Sequence, residues 1–452
     1  MNLFIEGFHN RRIWSRVRWY ALRVAVFEDE AYQNFFPLTL TRPTYELMVG
    51  TSTIREKIIK KLAKSENVIF FCRRYLEGVQ KEKLPKGYVN DFSAVDDDVL
   101  LINGLAVADE RLARVLQKLS RPGMVAVQDG RVVAAYVRGE SIERSGIQTA
   151  ITSADNVTEN ILKISSERLQ TSGVCILEYP WEIIELNPKL ITSELEGIEE
   201  KGWKGETEHP ITVYGNRENV FLAEGAFLEA GTVLDARYGP IYIGENTYVQ
   251  SPTRISGPAY IGKDCVIFGG QIREGCSIGD VCRIGGEVEG SIFHGYSNKR
   301  HYGFIGHSYV GEWVNLGAGT TNSDLKNTYG TIRMSIGGQV RDTGRTFVGI
   351  FVGDHVKTAV GTYVFSGKKI GVSSHLYGIV KEDVPSFTAY AEGLGAKPTE
   401  IYIESAIETA RRMMRRRNVQ LSEAYEEMLK RVFELTEQER SRAGVVKGRL
   451  SI

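Results

Sequence analysis

The residues with the widest chemical range in this chain are histidines, and five of the seven lie between positions 294 and 375. An imidazole titrates near neutral pH, so it can act as a general base, and its neutral form also binds transition metals. His301 directly follows Asn298, Lys299 and Arg300, a polar cluster that favours an accessible position over a packed interior. The five are His294, His301, His307, His355 and His375. A general base at His301 and a metal site built from several imidazoles are both open at this point.

Apolar residues recur every six positions through the segment that carries these histidines. This period fits neither an amphipathic helix nor an alternating strand, but it is typical of a β-solenoid with triangular coils. Small residues stand four positions after the apolar anchors and Gly often stands directly after them, as a narrow interior with tight corners requires. The anchors are Ile243, Val249, Ile255, Ile261, Ile267, Ile272, Ile278, Ile284, Val352, Thr358, Val364, Ile370 and Leu376, after a weaker lead-in at Phe221, Phe227 and Val233.

This pattern resembles the left-handed parallel β-helix of hexapeptide-repeat acyltransferases. The handedness comes from the resemblance, because the usual crossover rule would predict the opposite hand. At about 18 residues per coil and about 4.8 Å of rise, residues 219–382 would form about seven or eight coils, interrupted by an irregular excursion around 322–345. Cys265, Cys276 and Cys282 fall on the small positions, so we interpret them as packing residues rather than disulfide or metal partners.

The rest of the 452 residues predicts further domains. Alternating strand and helix patterns predict an α/β domain with a mostly parallel sheet, whose ligands bind at the carboxyl ends of the strands. We expect an N-terminal extension at 1–21, the Rossmann-like α/β domain at 22–200, the β-helix at 211–384 and C-terminal helices at 385–452. An arginine cluster at 411–417 is either a solvated or subunit-facing surface, or a site for an anionic ligand.

The charge balance also limits the partners. Acidic and basic residues number 56 each, so the composition favours neither nucleic acid nor an anionic membrane. No stretch is long and apolar enough to cross a bilayer, and the first residues lack the pattern of a signal peptide. We therefore expect a cytoplasmic protein that acts on small molecules.

Residues 37–43, PLTLTRP, resemble the P-L-T-x-x-x-P phrase of sugar-1-phosphate nucleotidyltransferases, in which a preceding glycine loop wraps a nucleoside triphosphate. The resemblance makes Thr39, Arg42 and Asn103 candidate nucleotide-binding residues and implies Mg²⁺ for nucleotidyl transfer. This chain departs from the family, since acidic residues at 28–30 replace the glycine loop. Thr44 and Leu105 stand in the places of a phosphate-binding Lys and a metal-binding Asp.

Residues 301–320 resemble the H-x-x-[YF]-x-G…N-[IL]-G-A-G-T run in the acetyltransferase half of the bifunctional N-acetylglucosamine-1-phosphate uridyltransferase/glucosamine-1-phosphate acetyltransferase (GlmU). There the histidine removes a proton from the sugar amine that attacks acetyl-CoA. The resemblance implies that His301 is the base and that Asn315 contacts the substrate, with Phe304 in the place of a tyrosine. Asp324 stands where an asparagine orients the amine or the base.

One substitution in this run bears on substrate choice. Glu289 stands where that family has a substrate-contacting Lys, and a carboxylate disfavours a sugar phosphate or selects another acceptor. Lys299 and Arg300, beside His301, are candidates to bind the phosphate instead.

Four longer phrases extend the resemblance over residues 22 to about 440, to the sugar nucleotidyltransferases related to GlmU. It implies a homotrimer that uses a sugar phosphate, a nucleotide and acetyl-CoA. Three alternatives stay open: a regulatory scaffold with decayed sites, an acyltransferase alone, or a zinc site of imidazoles as in hexapeptide-repeat carbonic anhydrases. The phrases are PLTLTRPTYELMVGTSTIREK, GYSNKRHYGFIGHS, GEWVNLGAGTTNSDLKN and IETARRMMRRRNVQL.

Overall fold

The computed structural model describes residues 23–62, 68–85, 87–95, 98–144, 146–198 and 202–450. The chain divides into two compact units. The first unit holds residues up to Phe35, Thr41–Leu47 and Ser52–Tyr179, and the second holds Phe36–Leu40, Met48–Thr51 and the chain from Pro180 onward. The predicted extension at 1–21 lies outside the described residues.

The first unit is built on a seven-stranded sheet of order β3-β2-β1-β4-β6-β5-β7. Strands β1 to β4 are mutually parallel where they pair, β6 is antiparallel to both β4 and β5, and β7 is parallel to β5. The central strands are runs of β-branched and small apolar residues that are buried on both faces, as parallel sheets require. The strands are β1 Arg23–Phe27, β2 Val68–Phe70, β3 Tyr88–Val89, β4 Asp98–Asn103, β5 Met124–Gln128, β6 Arg131–Arg138 and β7 Glu167–Gln170. The predicted α/β class is confirmed.

Six α-helices connect these strands in the described residues. Thr53 and Glu56 form a reciprocal capping box at the start of the first helix, with side chain to backbone distances of 2.9 and 3.2 Å. The helices are α1 Ile54–Leu62, α2 Glu77–Lys83, α3 Glu110–Lys118, α4 Gly139–Arg144, α5 Ile147–Ser153 and α6 Val157–Ile164. Short 3₁₀ turns span Glu30–Phe35, Leu38–Leu40, Thr44–Glu46, Arg74–Leu76 and Phe92–Ala94, and the strands Met48–Val49 and Ser52–Thr53 pair with each other.

The second unit begins with helix α7 (Pro180–Glu196) and continues as a parallel β-helix with three faces, A, B and C. Face A is Val220–Leu222, Ile241–Ile243, Ala259–Ile261, Cys276–Ile278, Ile292–Gly295, Tyr309–Glu312, Ile350–Val352 and Lys368–Ile370. Face B is Glu206–Thr207, Phe227–Leu228, Tyr248–Val249, the first halves of Val266–Ile272 and Arg283–Glu289, Asn298–Lys299, Lys357–Thr358, His375–Leu376 and Thr388–Tyr390. Face C is Thr212–Tyr214, Val233–Asp235, Thr253–Ser256, the second halves of the same two long strands, Phe304–Gly306, Thr321–Asn322, Tyr363–Val364 and Ile379–Val380. The β-helix is confirmed, and its left hand stays a prediction.

The hexad anchors form the interior of this β-helix. Residues from Ile243 to Ile284 in the predicted register are at most 1% exposed, and the small second residues Thr247, Cys265 and Cys276 are equally buried. The lead-in was predicted in the wrong register. Leu222, Leu228 and Leu234 point inward, one residue later than predicted, while Phe221 packs on α7 and Phe227 stacks on an outward tyrosine. Strand side chains alternate, so a shift of one residue exchanges the two faces.

Two local contacts explain why particular positions of the repeat carry glycine or another small residue. A Cβ on Gly244 would lie 2.5 Å from the carbonyl carbon of Gly262 in the next coil, so only glycine permits this stacking. The Thr247 hydroxyl donates to the Gly262 carbonyl at 2.7 Å, which satisfies a backbone group buried at the corner. Burial raises the pKa of the Cys265 and Cys276 thiols to about 12, in keeping with their packing role.

The excursion around 322–345 contains an antiparallel hairpin of Arg333–Ile336 and Gln339–Asp342. After the β-helix, Thr399–Glu400 pairs antiparallel with Thr388–Tyr390, and three helices follow: α8 Ile403–Arg415, α9 Glu423–Leu435 and α10 Glu437–Arg442. Among the described residues, no helix combines the length and the apolar character that crossing a membrane needs.

Ile278→Ala should lower the free energy of unfolding of the second unit by about 2–5 kcal/mol, because it opens a cavity in an interior that has no room to collapse. Urea denaturation followed by circular dichroism measures the effect. The matched control is made at Val360, whose side chain is exposed. Val360→Ala should change the free energy of unfolding by at most about 0.5 kcal/mol. Equal midpoints for the two variants would contradict the assigned interior.

Candidate functional site

The corner between faces C and A carries an unusual histidine. Successive coils place Gly275, Gly290 and His307 there, with φ of +78°, +51° and +46°. The first two are glycines, for which a left-handed conformation costs little, whereas at His307 it is disfavoured. The same conformation recurs at other corners, for example at Val281 and Trp313, so what distinguishes His307 is the set of groups that its ring contacts.

The ring of His307 is held by a carboxylate. Its Nδ1 lies 2.8 Å from Oδ2 of Asp324, and the two side chains are 26% and 14% exposed. Asp324 is itself fixed, because its carbonyl accepts a hydrogen bond from the Val348 amide at 2.9 Å. With its proton on Nδ1 facing the carboxylate, the imidazole presents a basic lone pair at Nε2.

The other edge of the His307 ring lies beside Gly290. A Cβ added at Gly290 would sit 3.1–3.2 Å from Cδ2 and Nε2 of His307, so a larger residue there would crowd the basic nitrogen. Phe347 stacks on the ring with centroids 5.3 Å apart. These residues border a cavity of about 620 Å³, closed on another side by Trp181, Ile184 and Pro188 of α7. Its size suits a small-molecule ligand.

The cavity has an excess of negative charge. Glu185, Glu274 and Glu289 line it, against one guanidinium, Arg345, which pairs with Glu185 at 2.6 Å. Arg273 is shared between two carboxylates, with its Nε 2.7 Å from Glu287 and 3.8 Å from Glu289. This arrangement favours an amine over a phosphate near His307.

The predicted phosphate-binding residues, Lys299 and Arg300, contact other groups of the protein. Lys299 is buried, its Nζ donates to the carbonyls of Gly285 and His301 at 2.7 and 3.1 Å, and burial lowers its pKa to about 8. The Arg300 guanidinium lies 4.3 Å from the ring centre of Phe268. His301 is exposed and lies at the corner between faces B and C, away from the corner that holds His307.

Two of the predicted residues do meet. Phe304 and Asp324 both pack against Gly306, where any side chain would collide with the phenyl ring and the carboxylate. Asn315 lies on face B instead, where it bridges to Asn298 and to Lys357. The structure therefore groups Phe304 and Asp324 with His307, and places Asn315 and His301 apart from them.

Sequence reasoning missed His307 as a base and considered it only as a metal ligand. The available signal is the spacing of seventeen positions between His307 and Asp324, about one coil of the β-helix, which places the two residues at the same corner of successive coils. Among the described residues, no group of three or more His, Cys, Asp or Glu side chains is arranged to hold a metal ion.

In the first unit, the carboxyl end of β1 carries a buried ion pair. Glu28 accepts hydrogen bonds from Nε and Nη2 of Arg73, both at 3.1 Å, and from the Thr44 amide at 2.9 Å. Arg73 also donates to the Arg42 carbonyl at 2.9 Å, so the predicted nucleotide residue Arg42 takes part through its backbone and is itself buried. Burial acts to lower the pKa of Arg73, but the Glu28 carboxylate outweighs it and raises that pKa.

A second pair lies beside the first. Arg131 donates to both carboxylate oxygens of Asp29 at 3.1 and 2.8 Å, and Asn103 donates to Asp29 at 2.8 Å. The Asn103 side-chain Oδ1 accepts from the Leu105 amide at 2.9 Å, so this side chain is engaged within the protein. Thr39 is buried and belongs to the second unit. The carboxylates that replace the glycine loop are therefore paired with arginines and do not fit a magnesium site as they stand.

Parts of this chain are similar to known proteins. Residues 24–202 match the sugar nucleotidyl transferase family. A bifunctional sugar-1-phosphate nucleotidylyltransferase/acetyltransferase of Sulfurisphaera tokodaii is 32% identical over 210 residues, which are 45% of each chain. The bifunctional protein GlmU of Bordetella parapertussis is 24% identical over 180 residues, 34% of this chain and 38% of that one. The predicted resemblance to GlmU-like proteins is confirmed.

The matches cover 45% and 38% of these two relatives, less than half of either. Among solved structures, the UDP-N-acetylglucosamine acyltransferase of Francisella novicida aligns with 54% of this chain and 94% of its own, at 18% identity and a TM-score of 0.33.

Arg73→Met should lower the free energy of unfolding of the first unit by about 3–5 kcal/mol, because it leaves the buried Glu28 carboxylate without its partner. The control is made at Arg74, an adjacent exposed arginine. Arg74→Met should cost at most about 0.5 kcal/mol. Denaturant titration of both variants measures the difference. A loss below about 1 kcal/mol for Arg73→Met would show that the pair is solvated in solution.

Proposed function

We propose that this chain is a GlmU-like transferase of nucleotide-sugar biosynthesis. Its first unit would transfer a nucleotidyl group from an NTP to a sugar 1-phosphate, with release of pyrophosphate. Its β-helix would transfer an acetyl group from acetyl-CoA to an amine. A homotrimer in the cytoplasm, with the acyltransferase region at residues 211–384, is part of the same proposal. The names of the relatives support the pair of activities, and the contact between His307 and Asp324 carries the acyl-transfer half.

The acyl transfer would use His307 as the general base. Its Nε2 accepts a proton from the acceptor amine while the amine nitrogen attacks the thioester carbonyl carbon. The carbon–nitrogen bond forms, the carbon–sulfur bond breaks, and the thiolate of CoA leaves and takes up a proton. Asp324 orients the ring and stabilises the imidazolium that forms, as a buried carboxylate does beside a catalytic histidine.

The cavity supports an amino group as the reacting part of the acceptor. Glu274 and Glu289 line it and would attract the ammonium form. That form would lose one proton to solvent to give the free amine, and Nε2 of His307 would accept the second proton during the attack. The aromatic rings of Trp181 and Phe347 offer flat apolar surfaces against which a sugar ring packs. His301 remains the second candidate base on the resemblance alone.

For the first unit, nucleotidyl transfer is supported by the match of residues 24–202 to sugar nucleotidyl transferases. One observation favours the alternative, a unit without that activity: Glu28 and Asp29 are already paired with Arg73 and Arg131. Magnesium would enter with the nucleotide. No described cluster of ligands fits it, so we derive no step through it.

His307→Ala should lower acetyl-CoA-dependent thiol release by about 10²–10⁴-fold with an amino-sugar acceptor, because the base is removed. The matched control is His301→Ala, six positions earlier in the same coil, which should retain activity within a few-fold. Thermal unfolding of both variants checks that the fold persists. The opposite ranking would make His301 the base and leave His307 a structural residue.

The nucleotidyl half is tested by pyrophosphate release with Mg²⁺, each NTP and a panel of sugar 1-phosphates. If the first unit transfers nucleotidyl groups, pyrophosphate should be released with at least one pair of NTP and sugar 1-phosphate. Calorimetry should then show NTP binding that depends on Mg²⁺. A protein that binds none of the NTPs, yet unfolds cooperatively, would support the alternative, in which the internal ion pairs have replaced the nucleotide site.

A further inference from the structure

A second cavity, of about 270 Å³, lies between face B of the β-helix and helix α8. Asn298, Asn315 and Lys357 line it from face B, and Arg412, Arg416 and Arg417 line it from the end of α8 and the turn that follows. All of these residues belong to the second unit. The cavity is on a different face from the corner that holds His307.

The lining of this cavity is strongly basic. It combines Lys357 with three arginines, and no acidic side chain of the described residues lines it. Arg412 pairs with Glu408, outside the lining, at 2.9 Å, and this pair is solvent-exposed and therefore weak. Four cations that share so little negative charge repel one another, so the arrangement favours an anionic ligand.

Two of these cations are not free to move into water. The Lys357 ammonium donates to the carbonyls of Trp313 and His355, both at 2.9 Å, and keeps its third N–H for another acceptor. Arg417 donates to Oδ1 of Asn298 at 2.6 Å, and its buried Nε has no partner in the described part of the chain. A buried donor is normally satisfied, so the Arg417 Nε is a place for a ligand oxygen, and the third N–H of Lys357 can donate to the same ligand.

A simpler explanation accounts for only part of this set. Arginines are common at the last turn of a helix, because the helix dipole favours positive charge there. This explains exposed residues such as Arg415, which is not part of the cavity lining. It does not explain why a partly buried lysine and two asparagines of the β-helix converge on the same space.

We propose that this cavity binds the phosphate group of a phosphorylated small molecule. Guanidinium forks and an ammonium match the oxygens of a phosphate, and the amides of Asn298 and Asn315 can complete the hydrogen bonding. The site is separate from the acidic cavity at His307, so it can be occupied whether or not that histidine acts in acyl transfer.

Calorimetry with inorganic pyrophosphate tests the site on the full chain. Arg416→Gln, at an exposed position, should weaken binding about tenfold, as expected for the loss of one charge-assisted hydrogen bond. Arg415→Gln, the adjacent arginine that does not line the cavity, is the matched control and should bind as the wild type does. No binding at millimolar pyrophosphate, or equal weakening in both variants, would overturn the proposal.

The same variants identify the source of the phosphate. CoA and a sugar 1-phosphate are titrated in parallel, and the ligand whose affinity depends on Arg416 but not on Arg415 is the one that the cavity accepts. If the cavity binds the acyl donor, the affinity for CoA should depend on Arg416. If it binds a sugar phosphate, the affinity for the sugar 1-phosphate should depend on Arg416 instead. Acyl transfer that is lost in His307→Ala with pyrophosphate binding retained would separate the two proposals.

A pH series provides an internal check with sulfate, which stays a dianion throughout. Burial lowers the pKa of Lys357 to about 7, against an opposing effect of Asp354, so the ammonium is present below that pH and lost above it. Sulfate affinity should therefore fall as the pH rises from about 6 to about 8.5. His375, which faces Lys357, has a pKa lowered to about 4 by burial and stays neutral, and the arginines stay charged.

His355 also lies close, with Nε2 hydrogen-bonded to the Tyr425 hydroxyl at 2.9 Å. Lys357→Met separates its contribution, because it removes the ammonium and leaves His355 in place. The pH dependence of sulfate binding should flatten in this variant. An unchanged slope would show that Lys357 does not reach the ligand.

Discussion

The narrow interior of the triangular β-helix is the constraint on which the second unit depends. Each side of a coil has room for one branched apolar residue and one small residue, and the next coil lies directly on top. Residues such as Ile261 and Cys265 fill this space completely, and Thr247 also satisfies a corner carbonyl. Because the coils cannot shift relative to one another, side chains on the outside hold fixed positions. Functional groups at the corners are therefore arranged without any need for long loops.

The corners of the β-helix are the places where this constraint positions a candidate functional group. The column of Gly275, Gly290 and His307 shows how a repeating scaffold gains a site: two coils keep glycine, and the third holds an imidazole in a conformation that disfavours side chains. The missing side chain at Gly290 leaves the basic edge of His307 open. Asp324 reaches the ring because it lies seventeen positions later, about one coil, just after the face C strand Thr321–Asn322.

The two cavities of the second unit described above have linings of opposite charge. Carboxylates line the cavity at His307, whereas Lys357 and the arginines at the end of α8 line the cavity on face B. An amine and a phosphate, the two charged groups of an amino-sugar phosphate, would thus be attracted to different places. In the first unit, by contrast, the charges at the strand ends neutralise one another within the protein, through Glu28 with Arg73 and Asp29 with Arg131.

The sequence alone determined the period, and with it the β-helix, its anchors from Ile243 onward and the α/β character of the first unit. These features follow from local patterns, because positions that share the same environment in successive repeats carry the same type of residue. The lead-in register was predicted wrongly, since Phe221 and Leu222 are both apolar and only packing on α7 decides which faces inward. The tertiary structure alone decided which histidine meets Asp324, and that Asn315 and Lys357 face the arginines of the C-terminal helix. His307 and Asp324 are about one coil apart, but the hexad anchors stop at Ile284 and resume only at Val352, so the pattern does not fix their register. Asn315, Lys357 and the arginines are far apart in the chain, and their contact depends on how the C-terminal helix packs on face B.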